Sequence, residues 1–322
     1  DDPDYDQTKF EEKLEIKGDN DHTKLIAMLN DLNDYSVPMS EILGKYFDTE
    51  NIAYWMAFQL LTGNTDTQNR NVYLYSPTNS DTFYLLDWDN DGMLMRKEYE
   101  IRQRADGQSW ENGISNYWGN ILLRRCLQTK SFRTALDKAI NDEYKYMSAG
   151  RINSMVRQYR SIVEPYVQKM PDSMHEPLTP SQYDTVANQL HSEIERNYRT
   201  YQTGFNKPMP FYIGKPTPAN GKLKLNWDVA YDFNDEDLRY TVTVSKDYAG
   251  DDVVFSQSDV VLPEAVMDMP DEGQYFIKVS VRNASGYTQD AFDHYITDGN
   301  KIYGTKCFYV KADGSIVEDA NE

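Results

Sequence analysis

The sequence predicts an α+β chain, a mostly helical part holding one β-hairpin and then an all-β sandwich. Three observations carry this reading. Apolar residues recur at helical spacing through residues 23–62 and 117–204. Between these stretches, Val72-Tyr-Leu-Tyr75 and Thr82-Phe-Tyr-Leu-Leu86 flank the turn residues Ser76-Pro-Thr-Asn-Ser80, the pattern of a hairpin. Beyond Asn206-Lys-Pro-Met-Pro210 the apolar period becomes two.

Residues 1–22 are acidic and mixed, with one strand-like patch at Leu14-Glu-Ile16. Residues 23–33 read as an amphipathic helix on Leu25, Ile26, Leu29 and Leu32. A second helix covers 38–47, with Pro38 in the first turn, where a missing N–H costs nothing.

The chain is organised around residues 48–92. They open with a helix: Asp48 or Thr49 serves as N-cap, and Ile52, Trp55, Met56, Phe58, Gln59 and Leu60 follow at helical spacing. The helix stops at Thr62-Gly63 and a polar loop, 64–71, leads into the hairpin. Its second strand delivers Asp87, Asp89 and Asp91 just before Gly92. Carboxylates and amides thus gather at the ends of two adjacent strands, a natural place for metal and phosphate chemistry.

Residues 93–116 are polar and poorly patterned, and read as a long loop beside that site. Helices follow at 117–128, 131–147, 149–169 and 180–204, their apolar stripes read as core. Trp55 and Trp88, flanking the site, read as core as well. Tyr99, Trp110, Tyr117 and Trp118 fall on the long loop and its exit as exposed aromatics open to a sugar or peptide.

The period-two runs are Leu223-Lys-Leu-Asn-Trp227, Tyr240-Thr-Val-Thr-Val244, Val253-Val-Phe255 and Tyr275-Phe-Ile-Lys-Val-Ser-Val281. Turns rich in Gly, Asp and Asn separate them, as in an antiparallel sandwich. The Trp in an early strand, the Tyr-x-Val-x-Val strand and Gly273-x-Tyr275-x-x-x-Val279 resemble a fibronectin type III, immunoglobulin-like domain. Residues 301–316 read as a hairpin added to its end. The expected domains are 1–205 and 206–322.

Length supports two cores, since the chain has 322 residues. A formal charge of -19 excludes nucleic acid as partner, because nothing offsets phosphate repulsion. No apolar run is long enough to span a membrane. Cys126 and Cys307, far apart, read as free buried thiols rather than a bridge. His22, His175, His191 and His294 show no zinc spacing. Asn283-Ala-Ser285 matches a glycosylation acceptor, a short and weakly specific motif. A start at Asp-Asp-Pro, without methionine or signal sequence, reads as the interior of a longer exported precursor.

Phosphoryl transfer needs a carboxylate to accept the attacking hydroxyl's proton, and oxygen ligands for a Mg²⁺ that bridges nucleotide phosphates. Asp66, followed five residues on by Asn71, has the spacing of a protein-kinase catalytic loop. Asp89, at the end of the next hairpin, is placed to hold the metal.

Gly63-Asn-x-Asp66, Asn71-x-Tyr-x-Tyr75 and Trp88-Asp89-x-Asp91 together resemble the spore-coat-protein-H-like (CotH) family of atypical kinases. Residues 10–18, Asp48-Thr-Glu-Asn-Ile-Ala-Tyr54 and Tyr198-Arg-Thr-Tyr201 are similar to that family as well. The resemblance implies an atypical protein-kinase-like C-terminal lobe up to residue 204. It implies Asp66 as catalytic base, Asn71 and Asp89 as cofactor and metal ligands, and Asp91 or Asp87 as a further oxygen. ATP and Mg²⁺ are the implied cofactors. The implied acceptor is a protein or surface component, and the implied setting is bacterial, secreted or at the cell surface. The family's N-terminal lobe, with its phosphate-binding Lys, is expected before residue 1; no Gly-rich loop or Val-Ala-Ile-Lys-like strand occurs here.

A rival reading uses the same aspartates. Asp87-x-Asp89-x-Asp91-Gly92, with Leu94 at the eighth position and Glu98 at the twelfth, fits a Ca²⁺-binding EF-hand loop, although a strand precedes it where an entering helix belongs. Two other classes therefore stay open: a non-catalytic adhesion or scaffolding protein, and a calcium-stabilised carbohydrate-binding protein. In each, the sandwich supplies a site for carbohydrate or protein.

Overall fold

The computed structural model describes residues 6–12, 21–68, 70–102, 109–176 and 178–318. The patch at Leu14-Glu-Ile16 lies outside them. Helix and sheet are both present, segregated along the chain as an α+β reading requires.

The first part runs α1 (Gln7–Glu11), α2 (Thr23–Asn33), α3 (Met39–Tyr46), α4 (Thr49–Thr62), β1 (Val72–Tyr75), β2 (Tyr84–Asp87), α5 (Arg96–Ile101), α6 (Ile121–Gln128), α7 (Lys130–Tyr146), α8 (Ala149–Val167) and α9 (Pro180–Gly204). Helix α4 is its axis. Ile52, Ala53, Trp55, Met56, Ala57, Leu60 and Leu61 are all buried, so nearly every face is covered. It packs against α7, α9 and β2. Asp48 caps it, its carboxylate accepting from the Asn51 N–H at 2.9 Å. Buried Arg125 on α6 donates to the carbonyls of Leu32, Asp34 and Val37, and so ties α6 to the α2–α3 turn. Thr179 and Gln182 close a capping box at the start of α9.

Several expectations need correction. The expected loop at 93–116 contains α5 and two 3₁₀ turns, Ser109–Glu111 and Gly113–Tyr117. Helix α5 has no apolar stripe to betray it; Arg96–Glu100, Lys97–Glu100 and Arg102–Glu98 pairs one turn apart support it instead. Trp110, Tyr117 and Trp118 are core residues rather than exposed ones. Conversely Trp88 is 55% exposed and lies against Tyr73. Met155, Tyr159, Ile162 and Tyr166 on α8 are exposed too, because that helix meets α9 along its neighbouring face.

The second part comprises β3 (Thr217–Ala219), β4 (Lys222–Asn226), β5 (Arg239–Ser245), β6 (Val253–Val260), β7 (Glu264–Asp268), β8 (Gly273–Arg282), β9 (Thr288–Asp290), β10 (His294–Thr297), β11 (Asn300–Tyr303), β12 (Thr305–Val310) and β13 (Ile316–Glu318). One sheet has the order β3-β4-β7; the other has β13-β12-β8-β5-β6, with β9 also on β8. All pairings are antiparallel. Alternate residues Leu223, Leu225, Val242, Val244, Ala265, Met267, Ile277 and Val279 enter one shared core, which is what fixes the register. The expected terminal hairpin divides. Residues 294–303 form a separate two-stranded ribbon, while β12 is integral to the large sheet, with Cys307 opposite Phe276.

An aromatic seam joins the two parts. Trp110 meets Phe292 at 5.2 Å and Tyr303 at 6.0 Å; Trp118 meets Tyr231 at 5.2 Å and Phe233 at 5.7 Å. Lys301 and Glu111 pair across it at 3.0 Å. Cys126 and Cys307 are buried and free, as expected of two thiols so placed. Asn283 is 1% exposed and donates to the Asn206 carbonyl and the Asp232 carboxylate, so the glycosylation motif is turned inward.

Candidate functional site

The site is built outward from the C-terminal end of α4. Gly63 ends the helix with φ 63°, and Asn197 of α9 donates to the Leu61 carbonyl at 3.0 Å beside it. A β-carbon on Gly63 would fall 2.7 Å from Asn197 Nδ2, so this exit needs glycine for both space and backbone sign.

From there the polar loop is held by buried groups. Asn64, 1% exposed, accepts from the Asp66 N–H through Oδ1 and donates from Nδ2 to Asn90 Oδ1. Its carbonyl accepts from the Tyr117 hydroxyl at 2.9 Å. Burial pushes that phenol up to about 12 and keeps it a neutral donor. The Asn116 amide reaches the Thr65 carbonyl. These contacts leave Asp66 half-buried at the start of a 3₁₀ turn, Asp66–Gln68. Asn71, with φ 51°, swings back and donates from Nδ2 to Asp66 Oδ2 at 3.0 Å.

The hairpin reaches the same place from the other side. Asn51 of α4 brackets β2, donating to the Leu85 carbonyl and accepting from its N–H at 2.7 Å. Strand β2 then passes Asp87 to Gln59, whose Nε2 donates to Asp87 Oδ1 at 3.0 Å. Asp87 is exposed as a residue, but its carboxyl is tucked against α4. Burial there raises its pKa above the usual range, against the Gln59 bond that favours the charge. Asp89 takes a left-handed backbone, φ 52°, and a 3₁₀ turn, Asn90–Gly92, follows. A β-carbon on Gly92 would lie 3.0 Å from Asn64 Oδ1 and 3.6 Å from Asp66 Cβ, so the aspartate turn sits directly on the Asp66 loop.

The structure therefore brings Asp66 and Asn71 into contact and lays the Asp89–Asp91 turn beside them. Asp89 and Asp91 are both exposed. It does not collect all the expected oxygens: among the described residues no group of three or more His, Cys, Asp or Glu is placed to hold a metal ion. Glu98 sits on α5 and pairs with Arg102 at 2.7 Å. Gly92 also lacks the positive φ seen at Asp89 and Leu94, so the 87–98 segment does not take the shape its EF-hand pattern suggested.

A comparison with protein-family models matches residues 1–201 to the family described as CotH kinase protein. The chain belongs to the CotH kinase family. No curated protein matches it. The CotH match contains α4, the hairpin and every candidate site residue, and it ends within α9. A kinase-related function follows from membership.

Part of this candidate site was not legible in the sequence. Asn90, Asn116 and Tyr117 secure the Asp66 loop, yet only the fold brings them to it. Glu143 of α7 was missed too. Burial pushes its carboxyl up to about 8, and the charge of Asp87 adds to the rise. No local motif could have found a residue that meets the hairpin from a separate helix.

Proposed function

We propose that this CotH chain carries the catalytic-loop lobe of an atypical protein kinase that transfers phosphate from ATP to a protein or surface hydroxyl. The observation that carries the reading is the 3.0 Å bond from Asn71 to Asp66 under the Asp89 turn. Asp66 acts as base, accepting the proton of the acceptor hydroxyl. Asn71 orients that carboxylate through Nδ2, which leaves its Oδ1 lone pairs available to a cation.

The donor set fits Mg²⁺ delivered with a nucleotide. Mg²⁺ typically takes one or two protein oxygens and completes its shell with phosphate and water, so Asn71 and Asp89, with Asp91 nearby, suffice without a closed carboxylate cage. Bound there, the ion supplies charge neutralisation at the nucleotide phosphates. The outer face of the hairpin, with Tyr73 at 46%, Tyr75 at 52%, Leu86 at 46% and Trp88 at 55% exposure, offers an apolar floor for a nucleobase or for a covering lobe.

The second part, from residue 206, is read as a fibronectin type III-like sandwich that acts as spacer or binding module. The three-strand and larger sheets sharing one core support this, as does the Tyr275 hydroxyl donating back to the Asp271 carbonyl at 3.0 Å, the arrangement of a tyrosine corner. A bacterial surface or secreted setting is part of the same proposal.

The test is calorimetric titration of the chain with Mg²⁺ and with Ca²⁺, each with and without ATP. The expected result is nucleotide binding that requires Mg²⁺. Tight Ca²⁺ binding indifferent to ATP overturns the kinase reading in favour of a structural ion site.

A further inference from the structure

Helix α8 is thinly covered: none of its 19 residues is buried. Arg160 latches it to Asp184 of α9, and Ile152 packs against the α4 core, yet one flank is bare. Met155, Tyr159, Ile162, Val163 and Tyr166 lie on that flank, within an arc of about 100° at helical spacing. Tyr159 and Ile162 are each 58% exposed, and Tyr166 is 68% exposed. Met170 continues the strip just past the helix end.

Spacing and charge together say what covers this strip. From Ile152 through Met155, Tyr159, Ile162 and Tyr166 the steps alternate three and four, the rhythm of a seam between two helices. Arg151 precedes the seam and lies over the Tyr146 ring; Asp172 follows it. Neither forms an ion pair among the described residues. A second copy of α8 laid antiparallel sets Met155 against Tyr166 and Tyr159 against Ile162, and carries Arg151 of each copy toward Asp172 of the other. A parallel arrangement brings like charges together instead. The positions flanking the seam, Val156, Gln158, Val163 and Pro165, are uncharged, so nothing along it repels a second copy.

The area suits the same occupant. A tyrosine side chain buries about 150–250 Å² and an aliphatic one roughly half that, so at these exposures two facing strips remove roughly 600–1,200 Å² from water. That is the low end of specific interfaces, the size of a reversible contact rather than an obligate one. A lipid surface is the poorer fit, because an anionic leaflet repels a chain of formal charge -19.

We infer that α8 is the contact of a reversible two-fold dimer of this chain, antiparallel about an axis between Tyr159 and Ile162. This contact is independent of the phosphoryl-transfer reading, since no candidate site residue lies on α8.

Sedimentation equilibrium of the whole chain between about 1 and 200 μM tests it. The expected result is a monomer–dimer equilibrium with its midpoint in that range. Ile162→Glu, which places a carboxylate in the seam of each copy, is expected to weaken the dimer at least about tenfold. Arg151→Asp is expected to weaken it a few-fold, and adding Asp172→Arg to the same chain is expected to restore it. All three side chains are exposed, and thermal melting of each variant shows that lost association is not lost fold. A chain that stays monomeric throughout, or a dimer that Ile162→Glu leaves unchanged, overturns the inference. A dimer weakened by Ile162→Glu and indifferent to Arg151→Asp overturns the antiparallel arrangement. A monomer that floats with phosphatidylglycerol vesicles gives the strip to a bilayer and overturns the inference as well.

Discussion

Asn71 Nδ2 donates to Asp66 Oδ2 at 3.0 Å across five positions of sequence, closing a loop whose start is anchored by Asn64 and whose end leads into the hairpin. One bond thus fixes the carboxylate proposed as base and leaves the Asn71 amide oxygen outside that bond. If Asp66 is that base, Asp66→Ala is expected to lower phosphotransfer at least about 100-fold, the usual worth of a general base. Folding is expected to be preserved, because Asp66 is only half-buried. Activity in a phosphate-transfer assay within a few-fold of the parent removes Asp66 from that role.

Asp89 makes the complementary case. It is exposed, and its carboxylate makes no hydrogen bond or ion pair among the described residues, so Asp89→Asn removes charge without disturbing packing. The melting temperature should stay where it is while Mg²⁺-dependent nucleotide binding disappears from calorimetric titration. Unchanged nucleotide affinity assigns the metal elsewhere.

The glycine at the head of the loop is a structural constraint. Gly63→Ala places a side chain at φ 63° and pushes its β-carbon to within 2.7 Å of Asn197 Nδ2. Strain of about 1–2 kcal/mol is expected from the left-handed backbone. About 1 kcal/mol more follows if Asn197 gives way and loses its bond to the Leu61 carbonyl. Urea denaturation measures the sum, and an unchanged midpoint contradicts this account of the exit turn.

What could be read from the sequence was local. The spacing from Asp66 to Asn71, the Asp48 cap, the Gly63 stop and the hairpin turn are short-range signals, and each lies where it was expected. The period-two strands were legible because their buried residues alternate, as Tyr240, Val242 and Val244 do in β5. Helix α5 was not, because side-chain ion pairs rather than an apolar stripe support it. Exposure failed as well. Nothing within the 109–118 stretch marks Trp110 and Trp118 as core; they are buried because Phe292, Tyr231 and Phe233, more than a hundred residues away, close over them. Glu98 fitted a metal pattern by position alone, and its helix turned it to Arg102 instead.

The aromatic seam makes a claim about cooperativity. Trp118 is 5% exposed and touches Tyr231 and Phe233 of the second part. Trp118→Ala is expected to destabilise the chain by about 3–5 kcal/mol, as large-to-small core changes do. It should also split one calorimetric transition into two, since the two cores then melt apart. A single unsplit transition in the variant shows that the seam does not couple them.

Glu143 gives a pH signature with a definite sign. Its carboxyl, pushed up to about 8 by burial and by Asp87, holds a proton in the folded chain at pH values where the unfolded chain, titrating near 4.5, has released it. The folded state therefore binds more protons across that interval, and stability falls as pH rises from near 4.5 through about 8. The neighbouring Asp87 does not offset the effect, because its negative charge further disfavours ionising Glu143. Glu143→Gln keeps the shape and cannot ionise. Its melting temperature should match the parent's near pH 5 and exceed it at pH 9. The expected gap is about 1–2 kcal/mol, set well below the full shift because the carboxyl keeps some solvent. Parallel stability curves for the two proteins across this range place Glu143 in water.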